Sequence, residues 1–186
     1  MERIARAFEI ALKAHKNQKR KVSYAPYIVH PMEVAINLMK EKAPETLIIS
    51  ALLHDTVEDT NITLEDIRKE FGSEIAVLVD GVTEPEELRK NSPKTWNERK
   101  EHTIEFMKTA SKEIKLISCS DKLANTRSLI EDQKKYGDKL WLNFKGGKTS
   151  TKWYMTKMLK SFKQGENIEE TNIYKQLEQA VNKLFS

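Results

Sequence analysis

Apolar residues recur at intervals of three and four along most of the chain, a spacing that places them on one face of an α-helix. No stretch shows the strict alternation of apolar and polar residues that is typical of a half-buried β-strand. The pattern therefore predicts an all-α fold. The predicted helices span residues 4–15, 31–39, 46–59, 63–71, 73–82, 95–110, 112–130, 148–162 and 168–185.

The first two predicted helices each carry a narrow apolar stripe that we expect to face the core. The first stripe consists of Ile4, Phe8, Ala11, Leu12 and His15, and the second of Val34, Ala35, Leu38 and Met39. Pro31 is expected to be the first residue of the second helix, because proline lacks the amide hydrogen that this position leaves unpaired.

The third predicted helix, 46–59, is apolar nearly all round in its first half, which is typical of a helix in the middle of a core. Thr63 followed by Asp66 resembles a capping box and begins a helix that is expected to end at Phe71. The predicted loops are 20–26, 83–94 and 137–147. One domain spanning 1–186 is the economical interpretation, and its most peripheral part is the last helix, about 168–186.

The composition is that of a soluble globular protein, since 39% of its 186 residues are hydrophobic and 32% are charged. The single cysteine, Cys119, has no partner within the chain and is interpreted as a small core residue in a reducing compartment. The longest apolar run, 47–53, is too short to cross a membrane, and the N-terminus has no apolar signal-peptide core. We therefore expect a cytoplasmic protein without a membrane partner.

The chain is mildly basic, with a net charge of +4 at pH 7. Its basic residues cluster at 16–21 and again between 145 and 163. Most of these lysines are interpreted as solvated surface, although a ligand that carries phosphate would also match them. We do not expect a nucleic-acid partner, because the chain carries no nucleic-acid motif.

The segment ALLHDTVEDT, 51–60, ends in one imidazole and three carboxylates. On a helix, the residues three and four apart would form one patch, where like charges repel by about 0.2–0.5 kcal/mol per pair. The helix dipole and partial burial would add to that cost. The patch is either a solvated helix end with scattered acids or a site for a divalent cation. It consists of His54, Asp55, Glu58 and Asp59.

Two distant residues favour the cation. His30 lies at the start of a predicted helix, and Asp121 lies in the middle of another that has apolar neighbours. Lys122 and Arg127 are neither three nor four residues from Asp121, so we expect neither to share its helix face. The sequence therefore predicts a metal site with positions open to water and substrate. Its ligands are His30, His54, Asp55 and Asp121.

These residues stand in the order of an H…HD…D signature, which resembles that of the HD metal-dependent phosphohydrolases. Longer segments resemble the hydrolase domain of the RelA/SpoT family and the single-domain small alarmone hydrolases. The segments are QKRKVSYAPYIVHPMEVA (18–35), ALLHDTVEDT (51–60), FGSEIAVLVDGVT (71–83) and DKLANTRSL (121–129), with a fainter match at KWYMTKML (152–159).

The resemblance implies an all-α fold, a bound Mn²⁺ held by the four predicted ligands, and removal of the 3′-pyrophosphate from guanosine tetra- or pentaphosphate. It implies that Glu58 and Asp59 orient or deprotonate the attacking water. The residues that it implies for nucleotide binding are Arg20 and Lys21 as a basic pair, Asn125 at the ribose and Tyr154 as an aromatic contact.

Three departures from the family pattern leave alternatives open. The loop after Lys21 lacks the usual glycine, 118–120 reads Ser-Cys-Ser, and Ala124 precedes Asn125. One alternative is an HD phosphohydrolase that acts on another nucleotide or a phosphomonoester. The other is a metal-dependent nucleotide sensor with little turnover, against which the intact Glu58 and Asp59 pair argues.

The sequence is also compatible with a homo-oligomer. Arg99 and Lys100 are interpreted as solvated surface in preference to residues that help to screen the phosphates. Asp80 is interpreted as a residue that caps a turn in preference to one that supports the metal ligands.

Overall fold

The computed structural model describes residues 1–85, 88 and 96–186. Helices form nearly all of its regular structure, and the only β pairing in these ranges is an isolated bridge between Lys19 and Pro26. The all-α prediction is confirmed. The helices are α1 (Glu2–Ala14), α2 (Val29–Lys40), α3 (Glu45–Leu53), α4 (Thr56–Asp59), α5 (Leu64–Phe71), α6 (Ser73–Val82), α7 (Trp96–Thr109), α8 (Lys112–Tyr136), a 3-10 helix (Gly137–Asn143), α9 (Gly147–Phe162) and α10 (Asn172–Phe185).

Helix α3 runs through the middle of the core, as its uniformly apolar sequence predicts. Every residue from Leu47 to Leu53 is buried. This is possible because α3 packs against α1, α2, α6 and α8, which together leave it no solvent-facing side.

The long helix α8 packs against α2, α3 and α6, and the last helix, α10, packs along it. Although α10 was expected at the periphery, it buries Ile173, Tyr174, Leu177 and Val181 within the main core. It begins at Asn172, later than predicted, because the side chain of Thr171 accepts a hydrogen bond from the Tyr174 amide and caps the helix.

The apolar stripes are only partly as predicted. Ala11 of α1 and His15, which directly follows the helix, are buried, but Leu12 is exposed and the unpredicted Ala7 is fully buried. Because their side chains are small, Ala7 and Ala11 allow α1 to approach α3 closely. These two residues therefore form the centre of the buried stripe. On α2, Val34, Ala35 and Leu38 are buried as predicted, whereas Met39 lies at the edge of the stripe and is exposed.

The prediction of one continuous third helix is wrong, because the chain bends at His54 and Asp55 between α3 and α4. His54 Nδ1 lies 2.8 Å from the Ala51 carbonyl oxygen. The Thr56 hydroxyl donates to the Leu53 carbonyl at 2.7 Å. Side chains thus bind carbonyl groups at the end of α3 that a continuing helix backbone would otherwise bind.

Three other boundaries differ from expectation. Helix α2 begins two residues before Pro31. Helix α8 continues through the polar residues 131–136, and part of the predicted loop 137–147 is a 3-10 helix. Of the predicted loop 83–94, residues 86, 87 and 89–94 lie outside the described residues, as does Thr95 at the start of the helix predicted at 95–110.

None of the described helices is long and apolar enough to cross a membrane.

The predicted capping box at the start of α5 is confirmed. The Thr63 side chain accepts from the Asp66 amide at 3.1 Å, and the Asp66 carboxylate accepts from the Thr63 amide at 3.0 Å.

Thr63→Ala removes one of these bonds, so we expect the free energy of unfolding, measured by urea denaturation, to fall by about 1 kcal/mol. The control is Thr156→Ala on the exposed surface of α9, where alanine should cause no loss. Equal losses in both variants would contradict the capping role.

Candidate metal and nucleotide site

An open cavity of about 1320 Å³ brings together residues from α2, α4, α5, α6, α7, α8 and α9 with the loop before α2 and the bend between α3 and α4. Its size is ample for a nucleotide. All four predicted metal ligands line it, as do the two predicted catalytic acids and the four predicted nucleotide-binding residues.

The four predicted ligands converge at one end of this cavity. His30 Nε2 lies 3.1 Å from Asp121 Oδ1 and 3.5 Å from Asp55 Oδ2, and His54 Nε2 lies 3.1 Å from the same Asp55 oxygen. One ligand atom from each of His30, His54 and Asp121 lies within 4.8 Å of the others. The spacing suits a single small cation.

The protonation of His54 shows that this donor set fits a metal. A carbonyl oxygen can only accept, so the contact with Ala51 requires His54 Nδ1 to carry the hydrogen. In the neutral ring Nε2 then holds a lone pair, and this buried atom has no hydrogen-bond partner among the described residues. The lone pair faces the Asp55 carboxylate oxygen, and two acceptors stay this close only with a proton or a metal ion between them.

The electrostatics of the site also favour bound positive charge. Burial opposes charge on the His54 imidazole, but the neighbouring Asp55 and Asp121 carboxylates outweigh it and raise its pKa to about 9. Burial likewise opposes charge on Asp55, yet the adjacent His54 and His30 rings hold the pKa of that carboxyl below its usual range. The metal-free pocket therefore attracts protons, which a divalent cation would displace.

Lys122 is a partner of Asp121 that helical spacing excluded, and that exclusion is wrong. Its ammonium forms an ion pair with Asp121 Oδ2. The rule for residues three and four apart describes Cβ positions, whereas a long lysine side chain can fold back onto the preceding residue. Asp121 Oδ1 still faces His30, so the ion pair leaves one oxygen directed at the ligand cluster.

Helix α8 is fixed against α2 beside the ligands. The Ser120 hydroxyl, which is buried next to Asp121, donates to the Val34 carbonyl at 2.8 Å. Ser120 belongs to the segment that departs from the family pattern, and its hydroxyl joins the helix that carries Asp121 to the helix that carries His30.

The two predicted catalytic acids, Glu58 and Asp59, lie on α4 and line the cavity. Glu58 Oε2 accepts from the Glu84 amide at 3.2 Å. Burial and the nearby acids, Asp55 among them, raise the pKa of Glu58. Partial burial and Asp55 also raise the pKa of Asp59. A raised pKa makes each carboxylate a better proton acceptor near neutral pH.

The predicted nucleotide-binding residues surround the same space. Arg20 Nη2 donates to Asn125 Oδ1 at 2.8 Å, and the Asn125 amide donates to Asp121 Oδ1. Lys21 lines the cavity from the exposed loop. Tyr154 is buried, and its ring lies beneath Lys122, whose ammonium is 5.9 Å from the ring centre.

Two residues that were interpreted without a functional role also line the cavity. Lys100 Nζ lies 5.4 Å from the centre of the Tyr154 ring and 3.7 Å from Glu84 Oε1. Asp80 of α6 lines the cavity too. Arg99 pairs with Glu84 at 3.5 Å. Lys100 therefore faces the cavity rather than bulk solvent alone, because the half-buried Glu84 and the buried Tyr154 hold it there.

Sequence reasoning missed Tyr27. Its hydroxyl donates to Asp55 Oδ2 at 2.6 Å and also lies 3.3 Å from Asp59 Oδ2. Burial and the Asp55 charge raise the pKa of Tyr27, so the hydroxyl keeps its hydrogen. Tyr27 lies three residues before His30 in the segment PYIVHP, and that proximity was the available signal. The ring packs against His15 at 4.8 Å between ring centres.

Tyr27→Phe should weaken metal binding. The change removes the hydrogen bond that orients Asp55, and comparable losses beside metal ligands cost about tenfold or more in affinity. Titration calorimetry with Mn²⁺ measures the effect. The control is Tyr24→Phe, since Tyr24 is a largely exposed tyrosine in the same loop and should leave the affinity unchanged. An unaltered affinity in Tyr27→Phe would show that Asp55 needs no support from the hydroxyl.

Comparison with known proteins agrees with this geometry. The chain is 40% identical over 128 residues to a guanosine-3′,5′-bis(diphosphate) 3′-pyrophosphohydrolase from Aquifex aeolicus, a match that covers 69% of the chain and 18% of that relative. It is also 40% identical over 129 residues to the MESH1 enzyme of that name from Xenopus tropicalis, covering 68% of the chain and 69% of the relative. The chain therefore spans less than a fifth of the Aquifex protein's length.

A solved structure is similar over almost the whole chain. It is described as a metazoan ortholog of SpoT that hydrolyses ppGpp, and it superposes with a TM-score of 0.76 at 28% identity, covering 98% of this chain and 96% of that one. The model of the HD domain matches residues 7–140. An HD domain implies a divalent metal, and His30, His54 and Asp121 lie together where one would bind. The chain belongs to the HD domain family.

Proposed function

We propose that this protein is a Mn²⁺-dependent phosphohydrolase that removes the 3′-pyrophosphate from guanosine tetra- or pentaphosphate. The observation that carries the proposal is the joining, in one cavity, of the histidine and carboxylate cluster with the acids of α4 and the basic residues of the loop before α2. Relatives that are named for this reaction are 40% identical to this chain over 128 and 129 residues.

The ligands of the metal would be His30, His54, Asp55 and Asp121. Two imidazoles and two carboxylates are a donor set suited to Mn, Fe or Zn, and the choice of Mn²⁺ rests on the family resemblance. A bound divalent ion supplies Lewis acidity and makes water nucleophilic near neutral pH. Tyr27 and the Ala51 carbonyl hold Asp55 and His54 in the orientations that binding requires.

Glu58 and Asp59 would take the proton of the attacking water. Both carboxylates have raised pKa values, which suits proton transfer near neutral pH. Each is also held in place, Glu58 by the Glu84 amide and Asp59 by its contact with the Tyr27 hydroxyl. A proton acceptor with a fixed position loses less entropy when it reacts.

The basic residues around the cavity would bind and screen the phosphates. Arg20 and Lys21 lie on the loop before α2, and the ammonium groups of Lys100 and Lys122 lie 5.4 and 5.9 Å from the centre of the Tyr154 ring. The leaving pyrophosphate gains negative charge during the reaction, so cations that are already in place stabilise it. Asn125, which bonds both Arg20 and Asp121, would contact the ribose between these two ends.

A second candidate is an HD phosphohydrolase that acts on another nucleotide. Ser118, in a segment that departs from the family pattern, lines the cavity and alters the polar surface offered to a substrate.

The location and the assembly of the protein are also part of the proposal. We propose a cytoplasmic protein built as one domain, with its single cysteine buried, and a homo-oligomer stays compatible with the sequence.

A substrate panel tests the function. The purified protein is incubated with Mn²⁺ and, separately, ppGpp, GTP, deoxynucleoside triphosphates, 2′,3′-cyclic nucleotides and nucleoside monophosphates. We expect pyrophosphate to be released from ppGpp alone. Orthophosphate from another member of the panel would favour the second candidate, and tight binding without product would indicate a sensor.

The role of Glu58 is tested with the variant Glu58→Ala in the same assay. We expect turnover of ppGpp to fall by about 10²- to 10⁴-fold, as is typical for loss of a general base, while Mn²⁺ affinity stays within about twofold, because Glu58 is not among the proposed ligands. Glu65→Ala on the exposed face of α5 removes the same charge outside the cavity and should retain full activity. Normal turnover in Glu58→Ala would remove Glu58 from the mechanism.

A further inference from the structure

One face of α8 forms a row of side chains along the cavity. The row begins at the metal end with Asp121 and proceeds at helical spacing, so its members lie on the same side of the helix. All of them line the cavity. At 1.5 Å per residue the row is about 16 Å long, which is enough to reach from a 3′-pyrophosphate across a ribose to a base. Its members are Asp121, Asn125, Ser128, Leu129 and Asp132.

The end of the cavity far from the metal is built differently from the metal end. Val22, Leu129 and Phe144 line it, and they belong to or pack against a second apolar cluster that contains Leu140 and Trp141. This apolar surface is contributed by three separate parts of the chain. A flat, weakly polar ring is the part of a nucleotide that matches such a surface.

Asp132 lies at the polar edge of this apolar end. The residue is half-buried. Burial raises the pKa of its carboxyl, although the charges of Arg20 and Lys135 and a hydrogen bond from Ser128 act in the opposite direction. A carboxylate has about four acceptor positions, so the Ser128 bond leaves most of them available.

We propose that Asp132 reads the Watson–Crick edge of the nucleotide base and selects guanine over adenine, an inference that rests on the function proposed above. Guanine presents two adjacent donors on this edge, N1–H and the N2 amino group, and a carboxylate offers two acceptors side by side. Adenine presents a ring nitrogen lone pair beside its amino group, which would place one acceptor against another. Asp132 therefore favours the base that donates twice.

A purely structural role for Asp132 makes a different prediction. Arg20 is among the charges that act on Asp132, and it also donates to Asn125. If Asp132 served only to position Arg20, its loss would weaken every nucleotide to a similar extent. Discrimination between two bases that share the same ribose and phosphates separates the two roles.

The test is calorimetric binding of GDP and ADP in the presence of Mn²⁺, to the wild type, Asp132→Asn and Asp132→Ala. We expect the wild type to bind GDP more tightly than ADP. Asp132→Asn should weaken GDP binding by about 10- to 100-fold, the range for one two-point base contact. It should leave ADP unchanged or tighter, since an amide can pair with adenine. Asp132→Ala should show the loss for GDP without a gain for ADP.

Glu131→Gln is the matched control, because Glu131 is the adjacent acid on α8 and its largely exposed side chain pairs with Lys134. It should bind both nucleotides as the wild type does. Equal affinity of the wild type for GDP and ADP, or an equal loss for both in the Asp132 variants, would overturn the inference. The binding measurements do not require turnover. If the protein binds GDP selectively but fails to cleave ppGpp, that result contradicts the proposed hydrolysis and leaves the role of Asp132 intact.

Discussion

Two carboxylates and two imidazoles are held within a few ångströms of one another, largely out of water, and the rest of the site depends on this arrangement. Burying the charges of Asp55 and Asp121 is costly unless they are paired. Lys122 neutralises one oxygen of Asp121, but in the neutral His54 ring the Nε2 lone pair conflicts with the Asp55 oxygen 3.1 Å away unless a proton or a metal ion lies between them. A divalent cation removes this conflict, and the same cation is what the chemistry of an HD domain requires.

The fold tolerates this cluster because three helices hold its members from different directions. Helix α3 is buried on all sides and ends at the His54 bend, α2 carries His30 in its first turn, and α8 carries Asp121. Contacts between α8 and both other helices, including the Ser120 bond to Val34, fix the spacing. Because α8 continues well past Asp121, the helix that carries this proposed metal ligand also lines the cavity in which we propose that the nucleotide binds.

Much of this arrangement could be predicted from the sequence, since periodicity gave the helices and residue chemistry selected the four side chains that the structure brings together. The rest depends on information that spacing does not contain. Tyr27 was missed because its role follows from a loop conformation, and Lys122 was excluded because its side chain is flexible. The bend at His54 depends on side-chain bonds to backbone carbonyls, which a pattern of apolar residues does not record.

The most direct test of the account is a crystal structure of the Mn²⁺-loaded protein with anomalous diffraction collected at the manganese absorption edge. The account predicts one strong anomalous peak within about 2 Å of nitrogen or oxygen atoms of His30, His54, Asp55 and Asp121. A peak elsewhere, or an empty cluster in crystals grown at saturating Mn²⁺, would contradict it.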